Sequence, residues 1–462
     1  MITFARWIAA AFLLHGFSGA VLAQIGGFGG FGQASGMMLT VGGPNTQAAG
    51  EIGIRPWAMV SGNYGQSRTL QADGAPSKET GYGALAAYGV AGGRSWYRTS
   101  LGLSLAGMYR PKLGKFNRSV SSHVLTLGVS HLTGPRTRVS AAATAGYSNG
   151  GLGFGGAALN SGLGIPFGIG NILQMGSVDF GNPNENAFVD EEVFDIGTLF
   201  GGVTGSVIHQ VSQRWNVGAG GGVFTARRRY RALAQSEGRS ANALTLYNID
   251  RTSSIGVQYA QTWFSFRNLF GGNRAQMLSL FYRKSLSPKV VASLSAGAYQ
   301  LRTTFIGQVA VDPAFQDLLG GFQSYEVKEG TRRGFMANAA IARSFRHGFV
   351  GASYFRGLTP GNGVLLASRR DRATLSATIG LPARFGLGGV VSYGEMHSIQ
   401  QRGLRSRNIT ASGGVNRHLG AGFGFSVGGG YRWLKFNNAP PASWAFAMAG
   451  ITWTPADAVL VF

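Results

Sequence analysis

The sequence predicts an all-β fold: a transmembrane, antiparallel up-and-down β-barrel of about 18 strands, with about 16 as the alternative count. Three observations predict it. Apolar and small residues alternate with period two over many segments, short turn-like breaks separate those segments, and no window after the N-terminus is apolar enough for a membrane helix.

The chain begins "MITFAR", with a positive charge at Arg6, and continues into an apolar run from Trp7 to Phe17. Small residues Val21 and Ala23 then precede Gln24. This is the pattern of a cleaved signal peptide over residues 1–23. An uncleaved anchor helix needs about 20 apolar residues, more than the run supplies. The chain has no cysteine, which excludes a lipoprotein anchor, disulfide staples and cysteine-ligated metals. Residues 24–50 are glycine-rich and uncharged and read as a periplasmic lead-in carrying Phe28 and Phe31; residues 51–462 form the barrel.

Composition narrows the class further. With 44% hydrophobic and 13% charged residues the chain is neither disordered nor polar, and its 75 glycines lack the three-residue period of collagen. Lys and Arg (41) outnumber Asp and Glu (18), giving +23. In an exported chain that charge points to lipid phosphates, anionic glycans or small anions rather than nucleic acid.

The stretch "GFGFSVGGGYRW" (422–433) shows the alternation most clearly: Phe423, Phe425, Val427, Tyr431 and Trp433 share one face, while the other is almost bare until Arg432. Alone it fits a soluble sandwich or a barrel in lipid. The stretch "SWYRTSLGLSLAGMY" favours lipid, because Tyr97 and Tyr109 flank Leu101, Leu103 and Leu105. Such a segment, at about 3.3 Å per residue and tilted, spans roughly 30 Å. Similar faces run through Leu125, Leu127 and Val129, through Leu294, Ala296 and Ala298, and through Trp444, Phe446 and Met448.

Between segments, "GGR", "LTGPR", "VSQR", "DRTSS", "LSPK", "FRHG", "PARF" and "HLGAG" read as eight tight turns. The intervening connections are longer and polar, such as "QSRTLQADGAPSKE" (66–79). Keeping all eight gives 18 strands; dropping "DRTSS" gives 16.

The signal peptide, the alternating strands and the terminal Phe462 together make the chain resemble bacterial outer-membrane β-barrels of the porin-like kind. The resemblance implies a location in the bacterial outer membrane, lipid and lipopolysaccharide as surroundings, a monomer or trimer, and a last strand read by the barrel-assembly machinery through Phe462. Pro455 departs from the pattern by removing a backbone donor, so the last strand is expected to stop near Trp453.

No catalytic motif appears. His131, His209, His347 and His418 sit beside expected turns, and runs such as "GGLGFGG" lead into no phosphate-binding "GK[ST]". The chain is read as a non-enzyme without cofactor or metal.

The arginines carry the sharper signal. Arg227, Arg229 and Arg231, Arg332 and Arg333, Arg370 and Arg372, and Arg405 and Arg407 all flank longer loops. They would either bind lipopolysaccharide phosphates outside or form a positive vestibule inside. Arg98 and Arg432 stand on small-residue faces and are the expected lumen residues. The loop over 149–195 holds Glu185, Asp190, Glu191, Glu192 and Asp195. General porins fold such a loop inward against wall arginines; capping the mouth or holding calcium are the alternatives. The function expected is a passive diffusion channel for small hydrophilic solutes, anions preferred. The alternative is a non-conducting surface or adhesion barrel, or a docking barrel for glycan export.

Overall fold

The computed structural model describes residues 53–70, 76–111, 120–149, 197–229, 235–267, 271–309, 324–345, 348–361, 366–381, 385–399, 403–437 and 441–453. The expected signal peptide, the glycine-rich lead-in, the acidic loop and Phe462 lie outside these residues.

Eighteen strands form one sheet. The first six are β1 (Gly53–Leu70), β2 (Pro76–Ser95), β3 (Thr99–Arg110), β4 (Val120–Gly134), β5 (Thr137–Asn149) and β6 (Gly197–Gln210). The next six are β7 (Trp215–Arg228), β8 (Ser236–Asn248), β9 (Ser253–Phe266), β10 (Gly272–Ser287), β11 (Val290–Val309) and β12 (Ser324–Phe345). The last six are β13 (Gly348–Gly361), β14 (Leu366–Leu381), β15 (Phe385–Ser398), β16 (Arg405–Gly420), β17 (Phe423–Phe436) and β18 (Ala442–Trp453). Each strand pairs antiparallel with its sequence neighbours, and β1 pairs with β18 from Ala58↔Trp453 to Arg68↔Ser443. That pairing closes the barrel and leaves no edge.

Seven of the eight expected breaks fall between consecutive strands, including the one through Asp250–Thr252. The exception is "GGR", which lies inside β2 because its ladder with β3 continues through Gly92↔Leu103 and Arg94↔Leu101; the chain turns instead at 96–98. The strand count among the described residues is 18, and the alternative of 16 falls away. β18 ends at Trp453, two residues before Pro455, as expected. The segment 66–79 differs from its expectation as a loop. Gln66↔Thr80 through Leu70↔Pro76 are paired, because ladder hydrogen bonds continue beyond the apolar band wherever turn chemistry does not interrupt them. The tight turns, the start of β1 and the end of β18 share one end of the barrel; by the usual asymmetry of such barrels this end is periplasmic.

The outer face is apolar. Leu101, Leu105, Leu127, Val203, Leu278 and Leu280 are exposed on it. Aromatics bound the band at both ends: Tyr97, Trp215, Phe423 and Trp453 toward the tight turns, and Tyr64, Tyr82, Tyr109 and Tyr431 toward the other end.

The inner face is less bare than the sequence suggests. Trp57, Met59, Leu85, Met108 and Phe200 form one apolar cluster with Met448, and Phe264, Met277, Tyr299, Leu301 and Met336 form another. Glycines explain the arrangement. A ring on one strand reaches across a glycine of the next: Phe200 over Gly146, Phe224 over Gly238, Tyr299 over Gly334, and Phe446 over Gly430. The empty face of 422–433 is therefore a slot as well as a wall. It also follows that Phe446 and Met448 do share a face, but it is the inner one. Met448 pairs with the inward Asn63, while Ala445, Ala447, Ala449 and Ile451 face outward.

Gly430→Val should drive the Phe446 ring off its seat, since a Cβ there would lie 2.5 Å from the ring. A destabilisation of about 1–3 kcal/mol is expected from urea unfolding of the refolded barrel. Combined with Phe446→Ala, the two costs should fall short of additivity by roughly 0.5–3 kcal/mol.

A second prediction concerns the Asp250 turn. Its Oδ1 accepts from Thr252 N (2.6 Å), Thr252 Oγ1 (2.8 Å) and Ser253 N (2.7 Å). The Thr252 hydroxyl above all holds the carboxyl below the usual aspartate range. A depressed folded value means stability present above the ordinary aspartate value and lost as pH falls through the folded one. Asp250→Asn should therefore unfold more easily than the parent at neutral pH, with the difference vanishing in strong acid.

Candidate pore and its basic residues

Strand register decides which arginines reach the lumen, because side chains alternate between faces. On β14, Thr374 and Ser376 are buried on the inner face, and so are Arg370 (6% exposed) and Arg372 (9%). On β7, Arg228 is inward and 4% exposed, in the same inward register as Ala226. On β17, Arg432 pairs with Thr410 and takes the inward register of the buried Ser426 and Leu434. On β12, Arg332 pairs with the fully buried Leu301, also inward. All five sit in the half of the barrel away from the tight turns. Arg138 and Arg283 take inward register nearer the turns, opposite Ile208 and Ser293.

The other sequence candidates divide differently. Arg227 and Arg229 are exposed on the outer side, one residue off the inward Arg228. The glycine run Gly220–Gly222 gives no face to count from, so the parity of "RRR" was not legible; the inward Phe224 carries the only usable phase. Arg333 faces out, its Nε donating to Gln300 at 3.3 Å. Arg405 and Arg407 also face out, opposite His397 and Glu395. Arg98 is not on a strand face: it lies in the turn between β2 and β3, its guanidinium 5.7 Å from the Tyr97 ring. Arg231, Glu185, Asp190, Glu191, Glu192 and Asp195 lie outside the described residues.

Two acids that could have neutralised the lumen point away from it. Asp371 faces out between Arg356 (3.4 Å) and Arg369 (3.2 Å), and accepts from the Tyr354 hydroxyl at 3.0 Å. Glu395 faces out and meets Arg407 at 2.9 Å, His397 at 3.0 Å and the Tyr393 hydroxyl at 3.0 Å. These carboxylates compensate the outer arginines. Arg356 adds a cation–π contact, 3.9 Å from the Phe335 ring. His131 and His209, both near turns, hydrogen-bond Thr99 (2.7 Å) and Thr137 (2.8 Å) on the outer face. Among the described residues no three His, Asp or Glu side chains gather as a metal site.

The wall itself decides the setting: it is closed, antiparallel, apolar outside and girdled by aromatics. The chain is an outer-membrane β-barrel. No protein-family model and no curated protein matches its sequence. Among solved structures, it is similar to OccK2 (OpdF) from Pseudomonas aeruginosa at 11% identity, covering 87% of this chain and 98% of that one, with TM-score 0.41. A BenF-like porin from Pseudomonas fluorescens Pf-5 shows 9% identity, 87% and 98% coverage and TM-score 0.40. The ferric-catecholate import receptor Fiu from E. coli K12 shows 6% identity, 87% and 81% coverage and TM-score 0.40.

Reversing the outward residues Arg227, Arg333 and Arg407 to Glu should leave ion preference unchanged in a planar bilayer, because these charges stand across the wall from the lumen. A shifted reversal potential would place them inside.

Proposed function

We propose that the barrel is a passive diffusion channel for small hydrophilic solutes, with a preference for anions. The observation that carries this reading is the set of inward arginines in the outer half of the lumen, above all Arg370 and Arg372 at successive inward positions of β14. A barrel of about 18 strands is wide enough for an aqueous path. Within it, guanidinium groups beside a low-dielectric wall raise the local anion concentration. At about 4 Å the attraction is roughly 1 kcal/mol in bulk water and about 4 kcal/mol at an effective dielectric near 20. That is enough to favour entry, and several weak sites let the ion leave again. Arg228 and Arg432 extend the same positive surface to other parts of the wall.

Single-channel recording of the refolded protein under a salt gradient tests the reading. The wild type should show discrete steps and a reversal potential on the anion side. Arg370→Glu with Arg372→Glu should move that potential toward the cation side. Conductance without such a shift removes these residues as the filter. A folded barrel that never conducts favours a surface or docking role instead.

A further inference from the structure

The outer wall carries a groove of about 980 Å³ across β6–β12, near the end away from the tight turns. Its centre is a row of outward residues fixed by strand register: Arg239 pairs with Trp263, Trp263 with Arg274, Arg274 with Arg302, and Arg302 with Thr331. The three arginines are exposed, and the Arg239 guanidinium lies 5.3 Å from the Trp263 ring. The next outward row toward the tight turns is made of amides, Gln261, Gln276 and Gln300, ending at Arg333. With its amide turned to match, Gln261 accepts from Arg274 Nε at 2.6 Å and Nη2 at 2.7 Å. Further rows in the same direction are apolar, with Leu278, Leu280 and Leu294 exposed.

Arg274 and Arg302 stand directly opposite each other on adjacent strands. Like charges so placed repel and cost stability unless an anion lies between them. The groove's two carboxylates, Glu237 and Glu329, stand one outward row beyond the arginines, away from the amides. Cation row, amide row and apolar wall follow one another from the outer end of the barrel into the membrane. That order matches a lipid whose phosphate sits above hydroxyl- and carbonyl-bearing sugar linkages and then acyl chains.

We propose that this groove seats a phosphorylated glycolipid of the outer leaflet, its phosphate held between Arg274 and Arg302 and backed by Arg239. The glutamines meet its sugar and acyl-linkage oxygens, and its chains lie on the leucines. Guanidinium forks suit phosphate oxygens because they donate two parallel hydrogen bonds. The site lies on the opposite side of the wall from the inward arginines, so it stands or falls separately from the channel reading.

The test uses the refolded full chain in phosphatidylcholine vesicles, with or without a bis-phosphorylated, acylated glucosamine disaccharide. The dephosphorylated disaccharide is the control. The phosphorylated lipid should raise the thermal midpoint of the wild type, and the control should not. In the variant Arg274→Gln with Arg302→Gln, lipid affinity should fall by about tenfold or more, the loss of at least one charge-assisted hydrogen bond. Arg302→Gln alone gives a sign test. It should stabilise the barrel in plain phosphatidylcholine, where it relieves repulsion, and destabilise it once the phosphorylated lipid is present. Equal stabilisation by the dephosphorylated lipid, equal affinity in the double variant, or the same sign in both membranes would overturn the proposal. So would cross-linking that shows a second copy of the chain occupying the groove.

Discussion

Backbone hydrogen bonding in a medium without water is the constraint on which the rest of this structure depends. In hydrocarbon an unpaired N–H or C=O costs several kcal/mol, about as much as a whole domain can spare. The pairing of β1 with β18 meets that demand at the one place where sequence neighbours cannot. All other ladders join strands that follow one another along the chain. Once closure is imposed, alternation sends half of each strand to lipid and half to the lumen. The location of every charge follows from that division.

The chain uses charge sparingly, and the register shows where. Asp371 and Glu395 are placed outside among arginines, as part of an outer collar. Inside, Arg228, Arg370, Arg372 and Arg432 share the wall with serine, threonine and apolar clusters. The lumen is therefore a mixed surface rather than a uniformly polar one. Trp57, Met59 and Phe200 on one arc and Phe264, Tyr299 and Leu301 on another brace the wall between its arginines.

Much of the fold was legible in the sequence because it is written in local terms. Period two and turn chemistry are read over a few residues, and they gave the strand count, the end of β18 and every break between strands but "GGR", whose glycines stay in the ladder of β2 with β3. The facing of individual strands was less legible. On β18 the large residues Phe446 and Met448 suggested lipid, yet they face inward, where Gly430 leaves room for the Phe446 ring. Size alone does not tell the two faces apart when the lumen has slots to fill. The arginine runs failed for a related reason. Consecutive residues such as Arg227, Arg228 and Arg229 alternate between faces, and a preceding glycine run erases the phase. The outer groove was beyond reach because its row draws one side chain from each of several strands, and only the register aligns them.

The rings that lie across glycines bear on how such a wall can change over time. Phe446 and Gly430 sit on different strands, yet neither can be altered freely while the other stays. A larger residue at the glycine displaces the ring, and a smaller residue at the ring leaves a gap beside the glycine. Each pair therefore acts as a unit, in which a change at one position costs least when its partner changes with it. A glycine-rich barrel of this kind is tightly constrained in its interior pairings and comparatively free on its lipid face, where one leucine serves nearly as well as another.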